Sequence, residues 1–415
     1  MKNEILSNID NPQQLEAAYR TNKAGFKKEF DALYPNLLSH PIANCWKERL
    51  SYDESEITWG TSYELTFIVF ASLSAGFLAK LPEFLPIDDE FFYPRNLGFV
   101  VIPLLIAYFA WKRTMVSKKI ITIAVALLVA LVYINLLPND YLPSDTLTLA
   151  CIHLPLFLWA VLGFTFVGDQ LSDYRRRLDF LRYNGDLAVI TALILIAGMV
   201  LTGITLSLFA VIDVNITEFY YQYVVVFGLV ASPIVGTYVI QTNPQLVNKV
   251  SPVIAKIFSP LVLITLVAYL IAMLGSGKDP YHDRDFLITF NILLIGVMAI
   301  IFFSIAETSW AKHNRTSAFI ILLLSVVTVV INGIALSAIL FRIMEWGITP
   351  NRLAVLGSNI LILSNLVLVT LGLSKVLRGR CEINVVEQSI ATFLPIYSAW
   401  TVVVVFLFPL LFRFQ

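Results

Sequence analysis

A short charged segment between two long apolar runs is the part of this sequence best suited to chemistry. Residues 341–352 read Phe-Arg-Ile-Met-Glu-Trp-Gly-Ile-Thr-Pro-Asn-Arg, and the apolar runs on either side cover about 317–340 and 353–373. Arg342 and Glu345 are three residues apart, so on a helix they share a face and can form an ion pair. The segment therefore predicts either a structural lock or a binding site for a charged group.

A helix break within this segment is predicted to position the remaining charge. Gly347 and Pro350 interrupt a helix, while Thr349 can cap the following helix with Pro350 in its first turn. Arg352 then lies in that first turn, where the helix dipole disfavours a cation. This pattern indicates a bound anion or a carboxylate partner, and Glu345 is the nearest carboxylate. We therefore expect Glu345 to pair with Arg342 or Arg352.

Three interpretations of the segment are open at this stage. Its charges can simply reach water from an interfacial turn, they can lock two helices together, or they can bind a ligand. Asparagines in apolar spans usually form hydrogen bonds between helices, which is the expectation for Asn291, Asn332, Asn359 and Asn365. The candidate substrate-binding residues are Arg342, Glu345, Trp346, Thr349 and Arg352, together with Asn332 and Asn365 from the flanking spans.

Composition places the chain among membrane proteins. Of its 415 residues 58% are hydrophobic and only 14% charged, against roughly 25% charged in soluble domains, and mean hydropathy is +0.77. Lysine plus arginine and aspartate plus glutamate both number 29, so no net basic charge favours nucleic acid. Nucleotide-binding glycine loops, HExxH and CxxCH motifs do not occur, so we predict no cofactor and no metal site. An enzyme is therefore less favoured than a non-enzyme.

The apolar runs predict an all-α polytopic membrane protein. Each is about as long as a helix needs to be to cross roughly 30 Å of hydrocarbon, and the alternating ten-residue pattern of a membrane barrel does not occur. The second run is short and contains Pro103, so a re-entrant segment is an alternative there. The eleven predicted spans cover about 62–80, 96–111, 119–137, 147–168, 187–212, 219–240, 252–274, 285–305, 317–341, 352–374 and 390–412.

The chain is predicted to divide into an amphipathic helical segment at 1–58 and a transmembrane bundle at 59–415. Asn11-Pro12 is a typical helix start, and Gly25 is expected to break the apolar stripe that follows it. The stripe needs a partner, which can be a neighbouring helix, the membrane surface or the bundle. We expect a small helical cap that packs on itself and on the bundle.

Basic residues predict the orientation of the spans. With eleven spans, 22 of the 29 lysines and arginines fall on the side of the N-terminus and 7 on the other. Because cytoplasmic flanks are enriched in lysine and arginine, the N-terminus is predicted to be cytoplasmic and the C-terminus external. Cys45 and Cys381 are then cytoplasmic, and Cys151 lies near the outer end of a span, too far away to pair with either. We therefore expect all three to be reduced.

The charged segment also resembles a known family motif. The pattern aromatic-Gly-(Ile/Leu)-Thr-x-x-Arg, here residues 346–352, resembles a hallmark of an uncharacterised family of bacterial polytopic membrane proteins, known as domain of unknown function 4153. Residues 15–20 and 46–50 are similar to the N-terminal part of its Bacteroidetes-type members. The resemblance implies a multi-pass protein of the bacterial inner membrane and implies no activity.

The favoured function is a transporter, a permease or a lipid-handling protein, since broken helices are where transporters expose backbone groups to substrates. Its partners would be membrane lipids and a small-molecule or lipid substrate. The alternative is a non-transporting scaffold or sensor whose N-terminal segment binds a partner. His153 is expected to be a packing residue, and Glu64 and Glu307, at span ends, are expected to be hydrated.

Overall fold

The computed structural model describes residues 2–21, 23–38, 40–52, 60–138, 144–275, 281–282, 284–308 and 315–414. These residues form helices and connecting turns, with no strand among them. The chain divides into two compact units, Met1–Trp59 and Gly60–Gln415.

The described part of the N-terminal unit contains four α-helices around its own apolar core. Asn11 caps the second helix as predicted, because its Oδ1 accepts hydrogen bonds from the backbone amides of Gln13 and Gln14. The predicted break at Gly25 is wrong: Gly25 lies inside the third helix, since a single glycine lowers helix propensity without ending a helix. The helices are α1 Lys2–Ser7, α2 Pro12–Thr21, α3 Lys23–Leu33 and α4 Pro41–Tyr52; the buried core includes Leu15, Tyr19, Phe26, Phe30, Trp46 and Leu50.

The second unit has eleven helical segments in its described part that are long and apolar enough to cross a membrane, which confirms the predicted all-α polytopic class. Two of them contain a π-helical stretch, at Tyr220–Val225 and Val403–Leu407. The helices are α5 Ser62–Ala79, α6 Leu81–Phe84, α7 Asp89–Lys112, α8 Ser117–Leu136, α9 Asp145–Val167, α10 Tyr174–Val211, α11 Thr217–Phe219, α12 Val226–Thr242, α13 Pro244–Gly275, α14 Arg284–Thr308, α15 Arg315–Trp346, α16 Pro350–Leu377, α17 Asn384–Val402 and α18 Phe408–Leu411.

The second span differs from its prediction. Helix α7 has 24 residues and continues through Pro94 and Pro103 without reversing direction, so it measures about 36 Å and is long enough to cross the membrane. It starts earlier than predicted because Asp88 caps it and Asp89 and Glu90 favour its N-terminus. The re-entrant alternative for this segment is therefore wrong.

The second unit has two large apolar cores, and helix α10 contributes to both. Phe180 and Tyr183 on α10 are buried in the core formed with α5, α7, α9 and α12. Leu181, on a neighbouring face of the same helix, packs against the core formed by α13 to α17. Helix α10 therefore lies between the two groups of spans, and it is here that the structure has a half-open cavity.

Candidate functional site

The segment at 341–352 forms the predicted helix break. Helix α15 ends at Trp346, and Gly347 follows with φ +78°, a conformation that favours glycine. Thr349 then caps helix α16, its Oγ1 accepting a hydrogen bond from the amide of Arg352 at 3.3 Å, with Pro350 in the first turn. The sequence therefore predicted the local backbone of this segment correctly.

The expected ion pair of Glu345 does not form in the structure. Arg342 instead donates to the carbonyls of Tyr281 and His282, at 2.9 and 2.8 Å. Arg352 donates to the carbonyls of Trp346 and Gly347, at 2.8 and 2.7 Å. The Glu345 side chain is exposed, and none of the ion pairs among the described residues includes it.

The physical reason for this difference lies at the end of helix α15. The last carbonyls of a helix have no partner within it and carry a partial negative charge, so they attract cations. Arg352 begins α16, but its side chain reaches the end of α15, where the dipole favours it. Both arginines also contact the Trp346 ring, with guanidinium-to-centroid distances of 5.4 and 5.6 Å. Arg352 therefore closes the break, while Arg342 joins the last turns of α15 to the backbone of Tyr281 and His282.

Asn332 and Asn365 lie in the helix core, away from this break. Asn332 donates to the Asn359 carbonyl at 3.3 Å, and Asn365 donates to the Tyr397 hydroxyl at 3.1 Å. Both hydrogen bonds join neighbouring helices, as predicted. Asn332 is ten residues from Arg342, which corresponds to about 15 Å along a helix. The seven candidate residues therefore do not form one site.

A large cavity lies among the spans of the second unit instead. Its volume is about 740 Å³, within the range of roughly 300–1,000 Å³ that is usual for small-molecule sites. Residues of α7, α9, α10, α13, α14, α16 and α17 line it, with apolar side chains such as Leu156, Phe258, Met298 and Phe303. The lining contains no aspartate, glutamate, lysine or arginine among the described residues.

A few polar groups interrupt this apolar wall, each held by a hydrogen bond. The Trp159 indole donates to the Asn184 Oδ1 at 2.8 Å. The Trp400 indole donates to the Ser358 hydroxyl at 3.0 Å, and the Tyr397 hydroxyl accepts from Asn365. These aromatic residues have fixed orientations, because each polar edge is anchored on another helix or a neighbouring segment. The cavity suits an apolar molecule with a small neutral polar group.

His153 is the only cavity residue that the sequence singled out. Its Nδ1 is 2.9 Å from the Leu149 carbonyl, one turn earlier in α9, while the ring borders the cavity. Trp159, Tyr397 and Trp400 carried no signal in the sequence, since they belong to ordinary apolar spans that only tertiary packing brings together. Asn365 was found by its unusual polarity, and it contributes through Tyr397.

Two carboxylates that were expected to be hydrated are buried. Glu64 is 8% exposed, and its Oε1 accepts hydrogen bonds from the Tyr108 hydroxyl and, at 2.8 Å, from the Lys112 ammonium group. Glu307 is 6% exposed, and its Oε1 lies 3.3 Å from the Nε of Arg182. Their position at span ends did not show this, because burial depends on the neighbouring helices. Each carboxylate is paired with a cation on another helix.

The remaining reactive residue types do not form a further site in the described part of the chain. Cys45, Cys151 and Cys381 are all free thiols, as expected. No group of three metal-binding side chains occurs among the described residues.

Comparisons with protein-family models, with curated proteins and with solved structures find no match to this chain. The function must therefore be inferred from the cavity and its surroundings.

Proposed function

We propose that this multi-pass membrane protein is a lipid-handling protein or permease that holds the apolar part of a neutral amphipathic molecule in the cavity. The observation that carries this proposal is a volume of about 740 Å³ whose described lining is apolar and without charged side chains. The ligand would be a membrane lipid or a small molecule of similar chemistry. We favour this cavity over the 341–352 segment, because the Trp346 and Gly347 carbonyls of that break already accept hydrogen bonds from Arg352.

The chemistry of the wall indicates the class of ligand. Burying an ion in an apolar cavity without a countercharge is strongly unfavourable, so a charged headgroup would have to remain outside. An acyl or isoprenoid chain gains free energy there from apolar contact. Both indole N–H groups are already donated, but the Ser358 hydroxyl, which accepts from Trp400, can itself donate a hydrogen bond to a hydroxyl or ester of the ligand.

The test fills the cavity and measures the binding of a brominated diacylglycerol to purified protein in detergent. Ala188 and Ala299 face the cavity from α10 and α14 and are solvent-accessible, so Ala188→Phe with Ala299→Phe places two rings in it. Bound probe is counted by native mass spectrometry. We expect saturable binding to the unmodified protein and at least about a tenfold loss of affinity in the double variant.

The matched control is Ala124→Phe, which adds a ring at an exposed position of α8 outside the cavity. This variant should bind the probe as the unmodified protein does. Equal binding by the cavity-filled variant would overturn the proposal, and so would a complete lack of probe binding by the unmodified protein. Melting temperatures of both variants establish that the comparison is between folded proteins.

For location, we propose a bacterial inner membrane with the N-terminus in the cytoplasm. The support is the asymmetry of 22 basic residues against 7 across eleven spans. A reporter enzyme that is active only in the periplasm, fused after Gln415, should be active in whole cells. Cytoplasmic behaviour of this fusion would overturn the orientation. Membership of the family that residues 346–352 resemble stays a prediction.

The second candidate function is a scaffold or sensor that binds a protein partner through the N-terminal unit. The observation in its favour is an open groove between α2 and α4, lined by Ala17, Ile42, Cys45 and Trp46. Cys45 is exposed, so it can carry a photo-crosslinker when Cys151 and Cys381 are replaced by serine. A single protein adduct in cells would support this function, and the absence of any adduct would oppose it.

A further inference from the structure

A buried carboxylate joins two of the helices that line the ligand cavity. Glu307 on α14 lies 3.3 Å from Arg182 on α10, and their side chains are 7% and 12% exposed. Arg182 also donates to the Ala306 carbonyl at 2.5 Å and to Asp179 at 3.3 Å. Arg182 therefore connects α10 to the end of α14 through both a carboxylate and a backbone carbonyl.

A second, small cavity reaches the same carboxylate from the other side. Its volume is about 40 Å³, enough for one water molecule. Glu307 lines it together with the hydroxyls of Ser259 and Ser304, which are 2.8 Å apart, and with Lys256, which is exposed. A water in such a cavity has the polar partners that it needs, so it can pass a proton between the exposed face and Glu307.

We propose that Glu307 is a proton-binding site and that its protonation opens the contact between α10 and α14. An ionised Glu307 attracts the Arg182 guanidinium, whereas a neutral one leaves only weaker hydrogen bonds. Breaking this ion pair leaves the two helices joined by the hydrogen bond from Arg182 to the Ala306 carbonyl and by their apolar contacts.

The position of the ion pair links this proton to the ligand. Leu181 and Gly185 on α10, one residue before and three residues after Arg182, line the large cavity. Phe303 lines it from α14, one turn before Glu307, and Ala255 on α13 borders both cavities. A loosened contact between α10 and α14 would therefore widen the gap between these two helices, through which a ligand could enter or leave the cavity. Because its effect is expected on the cavity, the inference rests on the proposed function.

The charged groups around Glu307 in the described part of the chain come from two other helices. Helix α10 contributes Arg182, Asp179 and Asp186, and Asp186 is close enough to interact electrostatically with Glu307. Helix α13 contributes Lys256, while α15 faces the small cavity with Ser317 and apolar side chains. Lys312 and His313 follow α14 in the sequence and lie outside the described residues.

The first measurement detects the proton without any ligand. Infrared difference spectra of the full-length protein, recorded while the pH is lowered, should show the band of a protonated carboxyl group that is lost in Glu307→Gln. Glu307→Asp keeps a titrating group and should retain a shifted band. A Glu307→Gln spectrum identical to that of the unmodified protein would overturn the proposal.

The second measurement follows the dissociation of the brominated diacylglycerol probe as a function of pH. In the unmodified protein we expect dissociation about five- to tenfold faster at acidic pH, a factor that corresponds to about 1.0–1.4 kcal/mol. Glu307→Gln should be fast at every pH. Glu64→Gln removes the other buried carboxylate, which is paired with Lys112 on α7, and should keep the profile of the unmodified protein.

The outcomes separate the two proposals. A probe that does not bind the unmodified protein at any pH overturns the proposed function, while the infrared band still tests the proton site. A probe that binds but dissociates at the same rate at every pH overturns the proton control and leaves the cavity function standing. A pH dependence that persists in Glu307→Gln assigns the proton to another group and overturns the inference.

Discussion

Gly185 on α10 offers a direct test of how tightly the cavity wall is packed. A methyl group at Gly185 would overlap the ring of Phe303 on α14, so Gly185→Ala forces that ring to move. Overpacking of this kind costs about 1–3 kcal/mol. Phe303 borders the cavity, which gives the ring a direction in which to move, and we expect a cost near the lower end of that range.

Two glycines on the same helix provide the control for Gly185→Ala. Gly198 and Gly203 have no atom within 4 Å of an added methyl group. Alanine there should stabilise α10 by up to about 1 kcal/mol, because alanine is the better helix former. The same gain in helix propensity applies to Gly185→Ala. The cost of overpacking is therefore the difference in unfolding free energy between Gly185→Ala and the two control variants, which we expect to be about 1–3 kcal/mol.

The assay combines thermal unfolding in detergent with binding of the brominated diacylglycerol. Gly185→Ala should melt below Gly198→Ala and Gly203→Ala, and it should bind the probe more weakly, since the displaced ring occupies part of the cavity. If Gly185→Ala melts with the two controls and binds the probe equally well, the close contact between α10 and α14 is refuted. Loss of stability without any change in binding would refute the movement of Phe303 into the cavity.

Two further predictions concern charges. Glu345→Gln should change the free energy of unfolding by less than about 0.5 kcal/mol. Arg352→Met should lower it by about 1 kcal/mol, because two carbonyls lose their donor. Equal effects of the two variants in denaturant unfolding would contradict the assignment of the stabilising contacts to Arg352. In the N-terminal unit, the hydrogen bond from Arg20 holds the pKa of Glu16 below its ordinary value, with the Arg49 cation acting in the same direction. This contribution to stability is present above the ordinary glutamate pKa and is lost as the pH falls through the lowered pKa of Glu16. Pepsin should therefore cleave this unit faster at the lowest pH. Glu16→Gln should reduce the dependence of the cleavage rate on pH.

The sequence alone predicted the features that depend on local chemistry. Long apolar runs must form helices in lipid, where every backbone group needs an internal partner, and the described part of the chain contains eleven such helices. The turn at Gly347 and the cap at Thr349 follow equally from local preferences. The hydrogen bonds of Asn332 and Asn365 were predictable because an amide in an apolar span requires a partner on another helix.

Only the tertiary structure decided which groups meet across helices. The sequence placed Glu345 near two arginines, but it could not show that Arg352 binds carbonyls at the end of α15 and that Arg342 binds those of Tyr281 and His282. The sequence predicted that Glu307, at the end of a span, is hydrated, but in the structure Arg182 of α10 lies against it. Trp159, Tyr397 and Trp400 look like ordinary membrane residues, and they line one cavity because packing brings spans together that lie more than two hundred residues apart. Apolar patterning determines that a segment crosses the membrane, and side-chain complementarity between segments determines what the crossing helices enclose.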